Sequence, residues 1–220
     1  MNDKINQIID QHLANKPQHA RHPHTYYPSS ASTCLRKQYY NQKHPTEHEP
    51  KTLRIFEAGN LIHDWITRVL TASPLVELLC EERSFTLTIP DTEAVIHGRL
   101  DNMIRLKGEE EDIIVDVKST KTLDFVQDEP QPDHVNQVML YLKAFRVKKG
   151  AILYVEKNTL ATKTHEFEFD SAVYDKLIDS VKRLDNMILE DVLPPKTTDQ
   201  SQKWKCRFCS YTGKCRKDEV

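Results

Sequence analysis

Two aspartates and a lysine, carried by one short stretch of chain, give the strongest chemical signal. The stretch runs from His97-Gly98-Arg99-Leu100-Asp101 through Gly108 to Val115-Asp116-Val117-Lys118. Gly108-Glu109 suits a turn with glycine at its first central position, so Ala94–Leu106 and Asp112–Ser119 are expected as the two arms of a hairpin. In that register Asp101 lies opposite Asp116 and Arg99 opposite Lys118. Arg105 with Asp112, and Lys107 with Glu110, make favourable cross-strand pairs. One face then carries Leu100, Ile104, Leu106, Ile113, Val115 and Val117. The other carries Arg99, Asp101, Arg105, Asp112, Asp116 and Lys118. Two carboxylates facing each other repel, and a hard divalent cation such as Mg2+ or Mn2+, bound through their oxygens, would compensate them. Such an ion can polarise a phosphodiester oxygen, activate a water and stabilise the departing oxygen. Lys118, on the same face, can orient that water or neutralise charge developing on the phosphate. A solvated strand face of mixed charge is the competing reading.

Residues on either side of this stretch extend the pattern. Gly59 and His63 share one side of an expected helix, and glycine within a helix costs about 1 kcal/mol relative to alanine. Gly59 is therefore expected to permit a close approach. His63 can supply an imidazole nitrogen to a carboxylate-bound metal, or be a hydrogen-bonded histidine at the edge of a buried face. Downstream, Gln137 and Tyr141 stand one helical turn apart, beside the apolar stripe of Val135, Val138, Leu142 and Phe145. The amide can hydrogen-bond a phosphate, and the ring can stack on a base.

Three cysteines, Cys206, Cys209 and Cys215, lie within ten residues near the end of the chain. A thiolate-only site needs a fourth ligand, and Cys34 is the candidate; Cys80, beside Leu78 and Leu79, reads as a small buried hydrophobe. The spacing alone suits zinc nearly as well as iron. Lys203, Lys205, Arg207, Lys214, Arg216 and Lys217 occur with no acid between them, interleaved with Trp204, Phe208 and Tyr211. Arg36, Lys37, Tyr39 and Tyr40 would join them if Cys34 shares the site. Cations that follow phosphates and aromatics that stack on unpaired bases suit single-stranded DNA.

The four blocks taken in order, Gly59-x-x-x-His63, Asp101, Asp116-Val117-Lys118 and Gln137-x-x-x-Tyr141, resemble the RecB-like branch of the PD-(D/E)XK nuclease superfamily. The resemblance implies His63, Asp101 and Asp116 as metal ligands, with the Val117 carbonyl as a further one. It implies Lys118 as the catalytic lysine, and Gln137 and Tyr141 as positioning residues for substrate DNA. One early cysteine and a C-terminal trio around these motifs are similar to the layout of iron–sulfur members, among them the CRISPR-associated exonucleases, AddB and related phage enzymes. From Cys34 to Cys215 the resemblance covers nearly the whole chain. It implies a structural [4Fe–4S] cluster held by Cys34, Cys206, Cys209 and Cys215. The activity expected is that of a metal-dependent DNA exonuclease working from single-stranded ends. A catalytically silent DNA-binding module of the same fold, and a zinc-stapled structural protein, are the alternatives. Recombination, repair or CRISPR-adaptation proteins are the expected partner classes.

Positioning these residues falls to a chain of 220 residues, enough for one good core. The elements read as helices, strands, helix, strands and helix. A helix over Asn2–Asn15 is followed by a His- and Pro-rich connector, Pro17–Pro28, a short helix over Cys34–Tyr40, and a longer helix over Leu53–Leu70. Arg83–Ile89 alternates as a strand, and the hairpin follows. A helix over Asp133–Arg146, strands over Ala151–Glu156 and Thr162–Phe169, and a helix over Ser171–Leu189 complete the order. The fold expected is α/β, a central mixed sheet flanked by helices, restriction-endonuclease-like, with a C-terminal cysteine-rich segment. A single domain over residues 1–220 is expected, its core at about 53–190. The net charge of -2 gives no global argument for nucleic acid. No apolar run approaches membrane-spanning length, and the first residues are too polar for a secretory signal. A cytoplasmic location follows, where thiols stay reduced and five cysteines are not expected to pair as disulfides.

Overall fold

A computed structural model describes residues 2–16, 22–198 and 200–218. Residues 17–21 of the expected connector lie outside them. The chain opens with helix α1 (Asn2–Ala14), a short strand β1 (Thr25–Tyr26), and helices α2 (Pro28–Ala31), α3 (Leu35–Lys43) and α4 (Pro50–Ala72). Strands β2 (Val76–Glu81), β3 (Ser84–Thr88), β4 (Val95–Arg99), β5 (Asn102–Leu106) and β6 (Asp112–Thr120) follow. Then come α5 (Pro132–Phe145), β7 (Lys149–Glu156), β8 (Thr162–Glu168), α6 (Ser171–Leu189) and α7 (Thr212–Lys217). Short 3-10 segments lie at Leu123–Phe125 and Gln200–Phe208. None of the described helices is long and apolar enough to cross a membrane.

The main sheet is mixed, in the order β2-β5-β6-β7-β8, with β6 and β7 parallel. A parallel pair needs a crossover, and α5 supplies it. Ile114 and Ile152 pack against Val138, Met139, Tyr141 and Leu142 of α5 on one face. On the other face Val117 and Val155 pack against Ile62 and Ile66 of α4. The strand that carries Asp116 is therefore covered on both sides, which accounts for its nearly continuous apolar sequence. The solvated-face reading fails for this reason. Seating α5 so close requires Gly150 on β7, because a Cβ there would stand 2.7 Å from Val138 Cγ1.

The hairpin keeps the expected register, with Ile104 opposite Ile113 and Arg105 opposite Asp112. Arg105 Nη2 lies 2.6 Å from Asp112 Oδ1. The ladder ends there, so Lys107 and Glu110 are not part of it. The bend falls one residue earlier than expected: Glu109 N donates to Leu106 O at 3.0 Å, which makes Lys107 and Gly108 its central residues. Gly108 adopts φ 92°, a region that glycine enters without steric cost.

The first arm, expected as one strand from Ala94 to Leu106, is two. β4 joins a separate three-stranded sheet, β1-β4-β3, and β5 joins the main one. The corner lies at Leu100–Asp101 and is matched in the adjoining ribbon. Leu100 N donates to Arg83 O at 3.1 Å and Glu82 N to Asp101 O at 2.9 Å, with Glu82 at φ 45°. Two paired ribbons turn the same corner, so the expected central mixed sheet is present and a second, three-stranded sheet adjoins it.

Candidate active site

Asp101 owes its place to that corner. β5 starts at Asn102, so the Val117 N–H on β6 has no strand partner on that side. Asp101 Oδ2 accepts it instead, at 2.8 Å. His63 reaches the same oxygen from α4, with Nδ1 at 3.2 Å. Burial works to lower the His63 pKa, but the hydrogen bond to Asp101 and the charges of Asp101 and Asp116 outweigh it and raise it. Gly59 is not demanded by space, contrary to expectation: a Cβ there would meet Ser119 Oγ at 3.7 Å, an ordinary contact.

Asp116 is fully buried, at 0% exposure, on the face of β6 under α5. Gln137 Nε2 donates to its Oδ1 at 3.1 Å. Lys118 Nζ stands 2.7 Å from Oδ2 as an ion pair, and donates to Gln137 Oε1 at 2.9 Å. Gln137 Nε2 also donates to the Tyr141 hydroxyl at 2.6 Å. One amide thus holds the carboxylate, the ammonium and the phenol together, and its orientation is fixed by all three. Burial is the largest influence on Asp116 and pushes its carboxyl above the usual range, with Asp101 adding to the rise and Lys118 and His63 opposing it. Burial likewise raises the Tyr141 phenol, with the charges of Asp116 and Asp101 adding.

The structure therefore brings His63, Asp101, Asp116, Lys118, Gln137 and Tyr141 together. It corrects one expected role. Tyr141 is buried in the core, edge-on to Phe85 at 5.6 Å between ring centroids, so its ring is not free to stack on a base.

Among the described residues no three His, Cys, Asp or Glu side chains converge as a ready-made metal group. The donor chemistry nonetheless fits a divalent cation. Asp116 Oδ2 is buried and has no aligned hydrogen-bond donor. With Asp101 and His63 it makes a set of two carboxylates and one imidazole, suited to a hard or borderline ion. The N–H and C=O of one strand residue point to the same edge, so the Val117 carbonyl faces the side on which Asp101 lies.

The cysteine region differs more from expectation. Arg36, Tyr39, Tyr40 and Tyr211, expected to meet DNA, are all buried. Tyr40 and Tyr211 pack together with ring centroids 5.3 Å apart, and the Tyr211 hydroxyl donates to His44 O at 3.0 Å. Trp204 and Phe208 do remain exposed, at 52% and 81%. Lys205 pairs with Asp133 at the start of α5, which ties the tail to the helix carrying Gln137. Cys34 immediately precedes α3 and Cys215 lies in α7, and Arg36 Nη1 donates to Cys215 Sγ at 3.7 Å. Arg36 Nε and Nη2 are buried without partners. The Cys215 thiol beside a buried, uncompensated cation fits a negatively charged thiolate centre. Cys80 lies in β2, packed against the core as expected, where burial raises its thiol.

The sequence reading passed over His134, one turn before Gln137. The Tyr154 hydroxyl of β7 is hydrogen-bonded to His134 Nδ1 at 2.7 Å and accepts from Gln131 N at 3.1 Å. Burial, with the charges of Lys118 and Lys205 adding, pushes the imidazole down to about 3. Its helical spacing from Gln137 was the available signal, but ten histidines in the chain obscured it.

Proteins of similar sequence and similar fold are known. A sequence model of the PD-(D/E)XK nuclease superfamily matches residues 37–216. The CRISPR-associated exonuclease Cas4 of Saccharolobus solfataricus is 23% identical over 218 residues, covering 94% of this chain and 93% of that protein. Among solved structures, SSO0001 superposes with a TM-score of 0.64 at 18% identity, covering 100% of this chain and 98% of the other. The alkaline exonuclease LHK-Exo of Laribacter hongkongensis, in complex with dAMP, gives 0.55 at 9% identity, covering 84% and 95%. These likenesses in structure establish the fold.

Proposed function

Since the chain belongs to the PD-(D/E)XK nuclease superfamily, we propose that it is a metal-dependent DNA exonuclease hydrolysing phosphodiester bonds from single-stranded ends. The observation that carries this reading is the Asp116–Lys118 pair, its carboxylate fully buried, its ammonium partly exposed, and both held by Gln137. A buried carboxylate is costly unless compensated, and a strand that needed only stability would be as well served by an apolar residue there. Perturbed ionisable groups gathered at one point favour a catalytic role.

His63, Asp101, Asp116 and the Val117 carbonyl would hold Mg2+ or Mn2+. An ion held there would supply polarisation of the phosphodiester and stabilisation of charge on the departing oxygen. The other steps fall to this chain's residues. Lys118 places a fixed positive charge beside the phosphate and orients the attacking water. Gln137 keeps that ammonium and Asp116 in position, so little reorganisation is left for the moment of reaction. Asp101 is held by the Val117 N–H and presents its carboxylate at the corner between the sheets.

DNA as substrate is supported by the exonucleases of similar sequence and fold, one of them solved with the deoxynucleotide dAMP. Trp204 and Phe208, exposed beside Lys205, support a preference for unpaired bases. The four cysteines are read as ligands of a [4Fe–4S] cluster joining the two chain ends within a single domain. An anaerobic preparation would then absorb near ~400 nm, whereas zinc is colourless. Recombination, repair and CRISPR adaptation are the pathways such an enzyme suits. The test is degradation of end-labelled linear and circular single-stranded DNA with Mg2+ or Mn2+. Loss of the linear strand with circles left intact supports an exonuclease; cut circles would make it an endonuclease.

A further inference from the structure

The side chain of Arg36 is buried without the partners that its charge needs. It lies on the first turn of α3, two residues after Cys34, and is 1% exposed. A guanidinium cannot shed its charge by deprotonating, so burying it needs an anion or a full set of acceptors. Arg36 has neither. Nη1 donates to Cys215 Sγ at 3.7 Å, while Nε and Nη2 have no partner. Asp218 is the carboxylate whose charge it feels, and that group is already taken by the Tyr40 hydroxyl at 2.8 Å and by Lys214 at 3.2 Å.

We propose that Arg36 is the internal counter-charge of the cysteine site: a positioning residue that donates to the Cys215 sulfur and balances the negative charge of a thiolate-held cluster. The inference rests on the iron–sulfur reading above. A cluster with four thiolate ligands is an anion, and its sulfurs accept hydrogen bonds. It supplies what the guanidinium lacks. Arg36 adjoins Cys34 in sequence and touches Cys215 in space, so it couples the ligand before the nuclease core to those after it. Groups of this kind orient ligands and tune the centre without binding it directly.

The test uses the full chain, purified anaerobically as wild type, Arg36→Lys and Arg36→Met. Iron and sulfide content, absorbance near ~400 nm and reduction potential are measured, with melting temperature before and after the cluster is chelated out. In Arg36→Met, cluster occupancy should fall about 10-fold, with Arg36→Lys recovering part of it. The cluster that remains in Arg36→Met should be reduced at a lower potential, since a nearby positive charge favours the added electron. The melting shift should change sign. Arg36→Met melts below wild type when both are loaded, and above it when both are stripped, where the wild type buries an uncompensated charge. An unchanged potential, or a lower melting point in both forms, would show that Arg36 only packs, and the proposal would fall. Wild-type protein without iron and sulfide would instead overturn the cluster reading itself, and this proposal with it.

Discussion

At the residue scale the site turns on Gln137. Its amide makes one contact each with Asp116, Lys118 and Tyr141, and no group of another shape could replace all three. Gln137→Leu keeps the volume and removes the contacts, so cleavage should slow by roughly 10–100-fold. The melting temperature should fall as well, because Asp116 and the Tyr141 hydroxyl stay buried without that partner. A variant as active as wild type would show that Lys118 is positioned without it. His134 gives a prediction for stability. Its folded pKa lies below the unfolded value, so the unfolded chain binds the proton first, and the stability present above about pH 6.5 is lost as pH falls. Between pH 7 and pH 5 the wild type should lose about 1–2 kcal/mol relative to His134→Gln, measured by urea unfolding at each pH. That Asp116 and Lys118 would share a face could be anticipated from the sequence because strand alternation places both there. That Tyr141 would be buried could not, because a tyrosine beside an apolar stripe reads alike whether or not a second sheet covers it. Here Phe85 of β3 covers it.

At the element scale, local signals fixed what they could. The α6 helix starts where Asp170 caps the Ala172 and Val173 N–H groups, and its span matches the one expected from sequence. The hairpin register followed from charge pairing and turn chemistry. The corner at Leu100–Asp101 had no such signal. Ile96, Leu100 and Ile104 continue the apolar alternation straight through it, and the bend is set by the neighbouring ribbon turning at Glu82–Arg83. The contact that seats α5 was equally hidden, since Gly150 in a strand does not announce what packs on it. Gly150→Ala should destabilise the protein by about 1–3 kcal/mol, because the added methyl forces α5 away from β7 at Val138. Denaturant unfolding measures this, and DNA cleavage should weaken with it as Gln137 shifts. An unchanged midpoint would mean that the helix yields freely.

At the scale of the whole molecule, a slightly acidic chain carries its cations locally. The tail pattern of alternating cations and aromatics looked uniform in sequence, but the fold divides it: Tyr211 is in the core, whereas Trp204 and Phe208 face solvent. What distinguishes them is packing against α3, a contact between chain ends that no local pattern encodes. Replacing both exposed aromatics with alanine should weaken single-stranded DNA binding by about 1–3 kcal/mol per lost stack and leave duplex binding nearly unchanged. Fluorescence anisotropy with labelled oligonucleotides reads both. Equal losses on the two substrates would exclude a stacking role.

Asp101, Asp116 and Lys118 are proposed to hydrolyse DNA rather than merely to bind it. The most direct measurement is single-stranded DNA cleavage in Mn2+ by cluster-loaded wild type, Asp116→Ala and Lys118→Ala, with binding measured in parallel. Wild type should cleave, and both variants should lose at least about 100-fold in rate while still binding DNA. Metal-dependent cleavage that survives in Asp116→Ala, or a wild type that binds DNA and leaves it intact, would contradict it.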